Sequence, residues 1–227
     1  MNEKPKNQQD PTFYSNSQMY HANTDLWEKT LYSKLREIYS SRNLDTGKTL
    51  VIGASYGREV PEGFTGVLLD PDLAACASAS QSRKSALVVC ADGKSIPFRD
   101  KAFDSAVISL VLSQLLIMGK KEDAIKVFNE AIRVSSERVI IIDTTESTRR
   151  SLSMVFVEKG NPWRYEDETL KSEVFSLEML GVPAATRIAE PFEWVRNHPI
   201  IETPSYMPRS DPIGVSYKVE AFEIMRR

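Results

Sequence analysis

The chain has 227 residues, enough for one domain of the larger kind that buries about 70 per cent of the surface its unfolded form exposes, without a disulfide or metal staple. Its 29 Lys and Arg against 31 Asp and Glu give a formal charge of −2, and the basic residues are scattered apart from pairs such as Lys120-Lys121 and Arg149-Arg150, which argues against a nucleic-acid partner. Cys76 and Cys90 form no C-x-x-C pair and the two histidines, His21 and His198, are far apart, so no metal site is expected; no apolar run has the about 18 residues of a spanning helix and the start MNEKPKNQQDP has no signal core, so a reducing cytoplasm is expected.

Residues 1–12 read as a mobile tail and 13–48 as an N-terminal helical cap. Within the cap, Trp27, Leu31, Leu35 and Ile38 recur at helical spacing from Asp25 to Ser41, with Thr24 or Asp25 as N-cap. The rest, 49–227, reads as one domain. Leu50-Val51-Ile52, Gly66 to Leu69, Leu87 to Cys90, Ala106 to Leu110 and Val139 to Ile142 are apolar runs without alternation, as parallel strands covered on both faces require. Helix-length segments lie between them. Asp70-Pro71-Asp72 supplies a cap and a first-turn proline, and Lys121 to Val134 carries Ala124, Val127, Phe128, Ala131 and Ile132 at the spacing of one helix face. Only Ala54 to Gly66 separates the first two runs, near the roughly dozen-residue minimum for a parallel crossover, so the helix there should be short and distorted. The alternation predicts an α/β fold with a doubly wound, Rossmann-like sheet.

After Asp143 the order changes. Glu166 to Leu180 is expected to be helical and Arg187 to Ala189 a short strand. Pro199, Pro204, Pro208 and Pro212 then mark an irregular insertion near 191–213, a flap or a surface that pairs two subunits as a homodimer. Val215, Tyr217, Val219 and Ala221 alternate with polar residues and predict a final strand.

Four turns follow apolar runs in the order TLVIGASYG, GVLLDPD, ALVVCADGKSIPF and FDSAVISLVLSQL, marked by Gly53, Asp70, Asp92 and Asp104. In an open parallel sheet the ligand crevice lies outside the carboxyl ends of the strands, and all four turns are expected there. The turn of Gly53, Ala54, Ser55 and Gly57 lets backbone approach a ligand, with its amides or those of the next helix start available to a carboxylate. Asp70, followed by Pro71, is placed to accept from ribose hydroxyls. Asp92 can accept from an exocyclic amine and the Gly93 amide can donate to a ring nitrogen. Taken singly, Gly53 and Gly57 are also ordinary turn glycines, Asp70 and Asp72 helix caps, Asp104 the cap of a strand's entry turn, and Pro97-Phe98 loop packing. The joint order is what points to a nucleoside. Tyr14, Tyr20 and His21 read as a substrate lid or as surface aromatics, Trp163 and Tyr165 as a substrate wall or core anchors, and His198 as structural.

These residues resemble the class I S-adenosylmethionine-dependent methyltransferases, most closely the small-molecule, type 11 branch that includes the ubiquinone and menaquinone biosynthesis enzymes. Asp70 matches the acidic end of that branch's second strand. The signature A-D-x-x-x-[LI]-P-F-x-D-x-x-F-D is matched by Ala91, Asp92, Ile96, Pro97, Phe98, Asp100, Phe103 and Asp104. The resemblance implies a seven-stranded sheet with an antiparallel last strand, S-adenosylmethionine as cofactor and S-adenosylhomocysteine as product, and it puts Ser109 and Leu110 under the methionine part. Two positions depart from the first motif, acidic-x-G-x-G-x-G: Val51 replaces the acid and Ser55 the middle glycine. The implied activity is in-line methyl transfer to a small-molecule acceptor, with an optional base for which Tyr20, His21 and Glu146 are candidates; scattered charge disfavours a nucleic-acid partner and no membrane span is expected. One rival is an inactive methyltransferase-like binding or regulatory module, supported by Val51, Ser55 and the short crossover. The other is a nicotinamide-dependent short-chain reductase, suggested by the Gly53–Gly57 spacing; against it, Glu59 stands where a third glycine belongs and no tyrosine has a lysine four residues later.

Overall fold

The computed structural model describes residues 31–45, 47–149, 185–197 and 214–225. In chain order they form α1 (Ser33–Ser41), β1 (Thr49–Ile52), β2 (Val67–Asp70), α2 (Leu73–Ser82), β3 (Leu87–Cys90), β4 (Phe103–Ser109), α3 (Leu112–Ile117), α4 (Lys121–Val134), β5 (Ser135–Arg149), β6 (Thr186–Arg187), β7 (Phe192–Asn197) and β8 (Gly214–Met225). The strands make one sheet in the order β3-β2-β1-β4-β5-β8-β6, with β7 also on β8. β6 lies opposite Phe222 and Glu223 and β7 opposite Gly214 to Val219, so the two share one edge of β8. Eight strand segments thus fill seven positions. β1 to β5 are parallel and β8 runs antiparallel to β5, as expected.

Strand alternation sorts the core into two layers. Val51, Leu68, Val107 and Ile140 pack with Leu35, Ile38 and Tyr39 of α1 and Ala79 of α2, whereas Leu50, Ile52, Leu69, Ile108 and Ile141 pack with Val127, Phe128 and Ala131 of α4. α4 spans the residues its periodicity predicts. Val134 is fully buried in its stripe while Ile132 is only partly covered, and Glu122 and Asp123 in the first turn with Arg133 in the last suit the helix dipole. The chain winds from β1 outward to β3 and returns to β4 on the other side, so the strand order reverses between β1 and β4.

Several expectations are corrected. The crossover from Gly53 to Gly66 holds turns and no helix. Ser55, Gly57 and Gly63 sit at φ +46°, +68° and +83°, which a right-handed helix cannot contain. Val60 and Phe64, 0 % and 1 % exposed, cover the sheet in the helix's place, and Phe64 meets the Tyr39 ring edge-on at 6.3 Å. Asp104 lies at the amino end of β4, opposite the other three turns. Its amide donates to the Lys48 carbonyl at 2.9 Å and its carboxylate stands 3.3 Å from Lys48 Nζ, because the residue opens a strand rather than ending one. Part of the segment expected to be irregular, Phe192–Asn197, is a strand, with Pro191 just outside the ladder.

β5 continues past Asp143 to Arg149, paired along its length with β8 down to Val215, so that β5, β8 and β7 form an antiparallel arm beyond the carboxyl end of the parallel strands. The tail, Tyr14, Tyr20, His21, the Thr24 or Asp25 cap, Trp27, Trp163, Tyr165, the Glu166 to Leu180 helix, His198 and the four prolines from Pro199 to Pro212 lie outside the described residues. Among the described residues no helix is long and apolar enough to cross a membrane, and no group of three or more His, Cys, Asp or Glu is placed to hold a metal.

Candidate functional site

Gly53 leaves β1 directly beside β2. Its amide and that of Ala54 donate to the Leu69 carbonyl at 2.9 and 3.2 Å, Gly57 N donates to Ala54 O at 2.7 Å, and Ser55 N donates to Asp70 Oδ2 at 2.8 Å. These four amides therefore serve the protein's own turn rather than standing open to a ligand carboxylate. The glycines likewise permit contact between protein segments. A Cβ on Gly53 would come within 2.1 Å of Val111 Cγ2 and 3.1 Å of the Ser109 carbonyl, and one on Gly57 would meet Arg83 Cγ at 3.0 Å and Leu68 Cδ1 at 3.1 Å. Ser55 keeps the left-handed backbone that its position demands. Leu110 is also left-handed, at φ +53°, and its amide donates to Ile142 O at 2.8 Å, bending the chain sharply at the tip of β4.

Asp70 closes β2 half-buried. Oδ2 takes the Ser55 amide and Oδ1 the Asp72 amide, at 2.9 Å, so among the described residues two of about four lone-pair positions stay unused. Burial pushes its pKa up against the pull of those two amides, and the Asp72 charge adds to the rise. Asp72, not Asp70, caps α2, accepting from Ala74 N at 2.8 Å and Ala75 N at 3.3 Å; Pro71 between them is exposed. Asp70 is paired with Cys90 on β3, and Asp92 follows two residues later, so the two aspartates occupy neighbouring strand tips. Asp92 Oδ1 accepts from the Lys94 amide at 2.9 Å and Oδ2 lies 3.5 Å from Lys94 Nζ, with the side chain 55 % exposed. Gly93 is buried where a Cβ would press on Ile52 Cγ2 at 3.1 Å.

The rest of the signature holds this loop in place. Ile96 is buried and its amide donates to Glu130 Oε2 at 2.7 Å, while Arg133 donates to the carbonyls of Ile96 (2.9 Å) and Phe98 (2.7 Å) and to Asp100 Oδ1 (2.9 Å). Phe98 packs edge-on against Phe103 at 5.0 Å. The clamp residues Glu130 and Arg133 were not singled out in sequence. Their signal is an acid and a base three apart on α4, beside its apolar stripe. Arg133 holds the Glu130 carboxyl below its ordinary range.

Two further buried acids carry no site role in the sequence reading. Asp143 fastens α3 to β5, its Oδ2 accepting from Leu112 N at 2.8 Å and Ser113 N at 3.2 Å and its Oδ1 from Thr144 N at 2.7 Å. Glu59, in the crossover and 5 % exposed, accepts from Ser109 Oγ at 2.7 Å through Oε2. Its carboxyl also faces the buried Tyr39 hydroxyl, which acts on it as a side-chain hydrogen-bond donor. Burial pushes the Glu59 carboxyl up to about 8; the Ser109 bond pulls it down, the Asp70 charge adds to the rise, and the Tyr39 hydroxyl pulls it down again. With Asp70 ending β2, Ser109 ending β4 and β1 between them, Glu59 spans the point where the strand order reverses. Glu146 lies on β5 opposite Lys218, and its side chain is not among those described.

Residues 45–142 match the family model of a methyltransferase domain, type 11, a span that holds every strand tip described above. No curated protein matches the chain closely enough to count as a relative. Among solved structures, a S-adenosylmethionine-dependent methyltransferase of Thermotoga maritima, titled a possible histamine N-methyltransferase, is 16 % identical with TM-score 0.53, covering 95 % of this chain and 98 % of its own. The YcgJ protein of Bacillus subtilis is 15 % identical with TM-score 0.55, covering 84 % and 96 %. A protein studied for conversion of a disulfide bond into a thioacetal group during echinomycin biosynthesis is 17 % identical with TM-score 0.51, covering 82 % and 78 %. At these identities the structures speak for the fold alone, and the matched domain speaks for residues 45–142. Residues 45–142 are thus a methyltransferase domain of type 11, set in a chain with the fold of S-adenosylmethionine-dependent methyltransferases, and S-adenosylmethionine is the cofactor of that domain.

Proposed function

We propose that this chain transfers the methyl group of S-adenosylmethionine to a small-molecule acceptor, and that Asp70 carries the reading. Its carboxylate ends the strand beside the switch point, is fixed by two amides, and keeps acceptor positions for the two ribose hydroxyls. The neighbouring residues fit the same group. Asp92, exposed at the next tip, accepts from the adenine amine while the Gly93 amide donates to the ring, and Ser109 and Leu110 line the methionine part. The turn from Gly53 through Ala54 and Ser55 to Gly57, with Pro71, shapes the crevice floor. Bound there, S-adenosylmethionine supplies a methyl already activated on a sulfonium, so the protein needs chiefly to place the acceptor in line and exclude water.

The arm of β5, β8 and β7 supports a wall for that acceptor, since the six residues past Asp143 extend it by about 20 Å beyond the sheet. The scattered charge supports a small acceptor over a nucleic acid, and the free thiols Cys76 and Cys90 suit a reducing cytoplasm. Incubation with methyl-labelled cofactor and a cell extract tests the reading. A labelled dialysable compound chromatographically distinct from the cofactor is expected; transferred label confined to protein or RNA would contradict the small acceptor. The binding-module alternative draws on Val51, Ser55, the short crossover and the four committed turn amides, and it differs by showing no saturable binding of S-adenosylmethionine or S-adenosylhomocysteine.

A further inference from the structure

Cys76 and Cys90 are the only cysteines of the chain, and the fold brings them together. Cys76 stands near the start of α2, and Cys90 ends β3, where the ladder sets it opposite Asp70. Their thiols converge on two successive carbonyls of the turn between β2 and α2: Cys76 Sγ donates to Asp70 O at 3.3 Å and Cys90 Sγ to Pro71 O at 3.7 Å. Cys76 Sγ also reaches the Val89 carbonyl of β3 at 3.9 Å, and the Cys90 thiol acts on it as a side-chain hydrogen-bond partner. The two differ in access. Cys90 is exposed, whereas Cys76 is 5 % exposed, and burial followed by the Cys90 contact pushes its thiol up to about 12, so it supplies little thiolate to solution. An open thiol backed by a buried one is the arrangement of an attacking and a resolving cysteine.

We propose that Cys76 and Cys90 form a dithiol switch that closes to a disulfide across the Asp70–Pro71 turn and thereby weakens cofactor binding. The effect on the cofactor rests on the S-adenosylmethionine reading above; the bond itself does not. The oxidant is a low-molecular-weight disulfide of the glutathione type. The Cys90 thiolate attacks one of its sulfurs, expelling a thiolate that takes up the Cys90 proton, and a mixed disulfide is left on Cys90. That conversion removes the part Cys90 plays in raising the Cys76 thiol. Cys76 then attacks the Cys90 sulfur while its proton passes to the second departing thiolate, so that two protein thiols are oxidised to one S–S bond and the external disulfide is reduced to two thiols. The bond holds the sulfurs closer than any contact between thiols, and it takes both S–H donors from the Asp70 and Pro71 carbonyls. The start of α2 must follow Cys76 toward β3, and with it the Asp72 amide that fixes Asp70 Oδ1. Linkage makes the coupling reciprocal: what the disulfide takes from cofactor affinity, bound cofactor takes from the disulfide.

The full chain, equilibrated in graded ratios of reduced to oxidised glutathione, then acid-quenched and alkylated, reads the switch by intact mass. A single transition is expected, to a monomer that has lost two hydrogen atoms and takes up no alkylating reagent, reversed by dithiothreitol. Cys76→Ser should stop at the mixed disulfide on Cys90, and Cys90→Ser should stay reduced throughout. Calorimetric titration should then give the oxidised parent an affinity for S-adenosylmethionine about tenfold below that of the reduced parent, and saturating cofactor should move the glutathione midpoint by about 30 mV toward more oxidising potential. A mixed disulfide that persists in the parent, a cross-linked dimer, or no change under oxidised glutathione would overturn the switch. An oxidised monomer that binds the cofactor as tightly as the reduced one would overturn the coupling and leave the cofactor reading standing, whereas a disulfide formed in a protein with no saturable cofactor binding in either state would overturn that reading and the coupling but not the bond. Should a serine variant fail to fold, the mass and titration of the parent decide alone.

Discussion

The Ser109 hydroxyl donates to Glu59 Oε2 at 2.7 Å across 50 positions of sequence, tying the crossover after β1 to the tip of β4. That bond fixes an acid whose folded-state pKa, about 8, stands far above its ordinary 4.5. Between those values the native protein keeps a proton that the unfolded chain has lost. Stability from this group is therefore fully present below 4.5, falls as pH rises through the window, and is fully lost above about 8. Asp70 and Asp143, both pushed up by burial, slope the same way. The unfolding free energy of the parent from urea titration should decline with pH by at most about 1.4 kcal/mol per unit from Glu59, and Glu59→Gln should flatten the curve. An unchanged slope in the variant would show that Glu59 is ionised when folded.

Gly53 and Gly63 share a left-handed backbone, at φ +80° and +83°, but differ in surroundings. A Cβ on Gly53 would lie 2.1 Å from Val111 Cγ2, while nothing stands within 4 Å of one on Gly63. Gly63→Ala should cost about 1 kcal/mol from backbone strain alone, and Gly53→Ala about 2–5 kcal/mol, since overpacking adds to the strain. Chemical denaturation of the pair separates the two effects. Equal losses would mean that the β1 turn and the β4 turn are not in the contact described.

Arg133 satisfies two carbonyls, Ile96 and Phe98, that an alanine would leave bare, whereas its partner Asp100 is 76 % exposed. Arg133→Ala should destabilise by about 2–3 kcal/mol and loosen the Asp92 loop, weakening cofactor binding several-fold. Asp100→Ala should change stability by less than about 0.5 kcal/mol. Thermal melts and a cofactor titration of both variants check this, and similar losses in the two would make the surface pair, not the carbonyl clamp, the important contact.

The parallel strands and α4 were legible because unbroken runs such as Leu50-Val51-Ile52 and the periodic stripe from Ala124 to Ala131 state their burial locally. Asp70 was legible by its place at the end of such a run. The crossover was misread because residue count alone says nothing of Ser55, Gly57 and Gly63 turning left-handed, or of Val60 and Phe64 standing in for a helix. Asp104 was put at the wrong end of the sheet because an acid beside a strand looks alike whether it opens or closes it. Glu59 and Asp143 gave no local sign, since burial of an acid depends on contacts 31 to 50 positions away.

Calorimetric titration with S-adenosylmethionine and S-adenosylhomocysteine, on the parent and on Asp70→Ala with its fold verified by circular dichroism, tests the ribose placement most directly. Saturable binding of both ligands by the parent, weakened at least tenfold in the variant by the loss of about 1.4 kcal/mol or more of charge-assisted hydrogen bonding, is expected. Equal affinities in parent and variant, or no saturable binding by the parent, would contradict it.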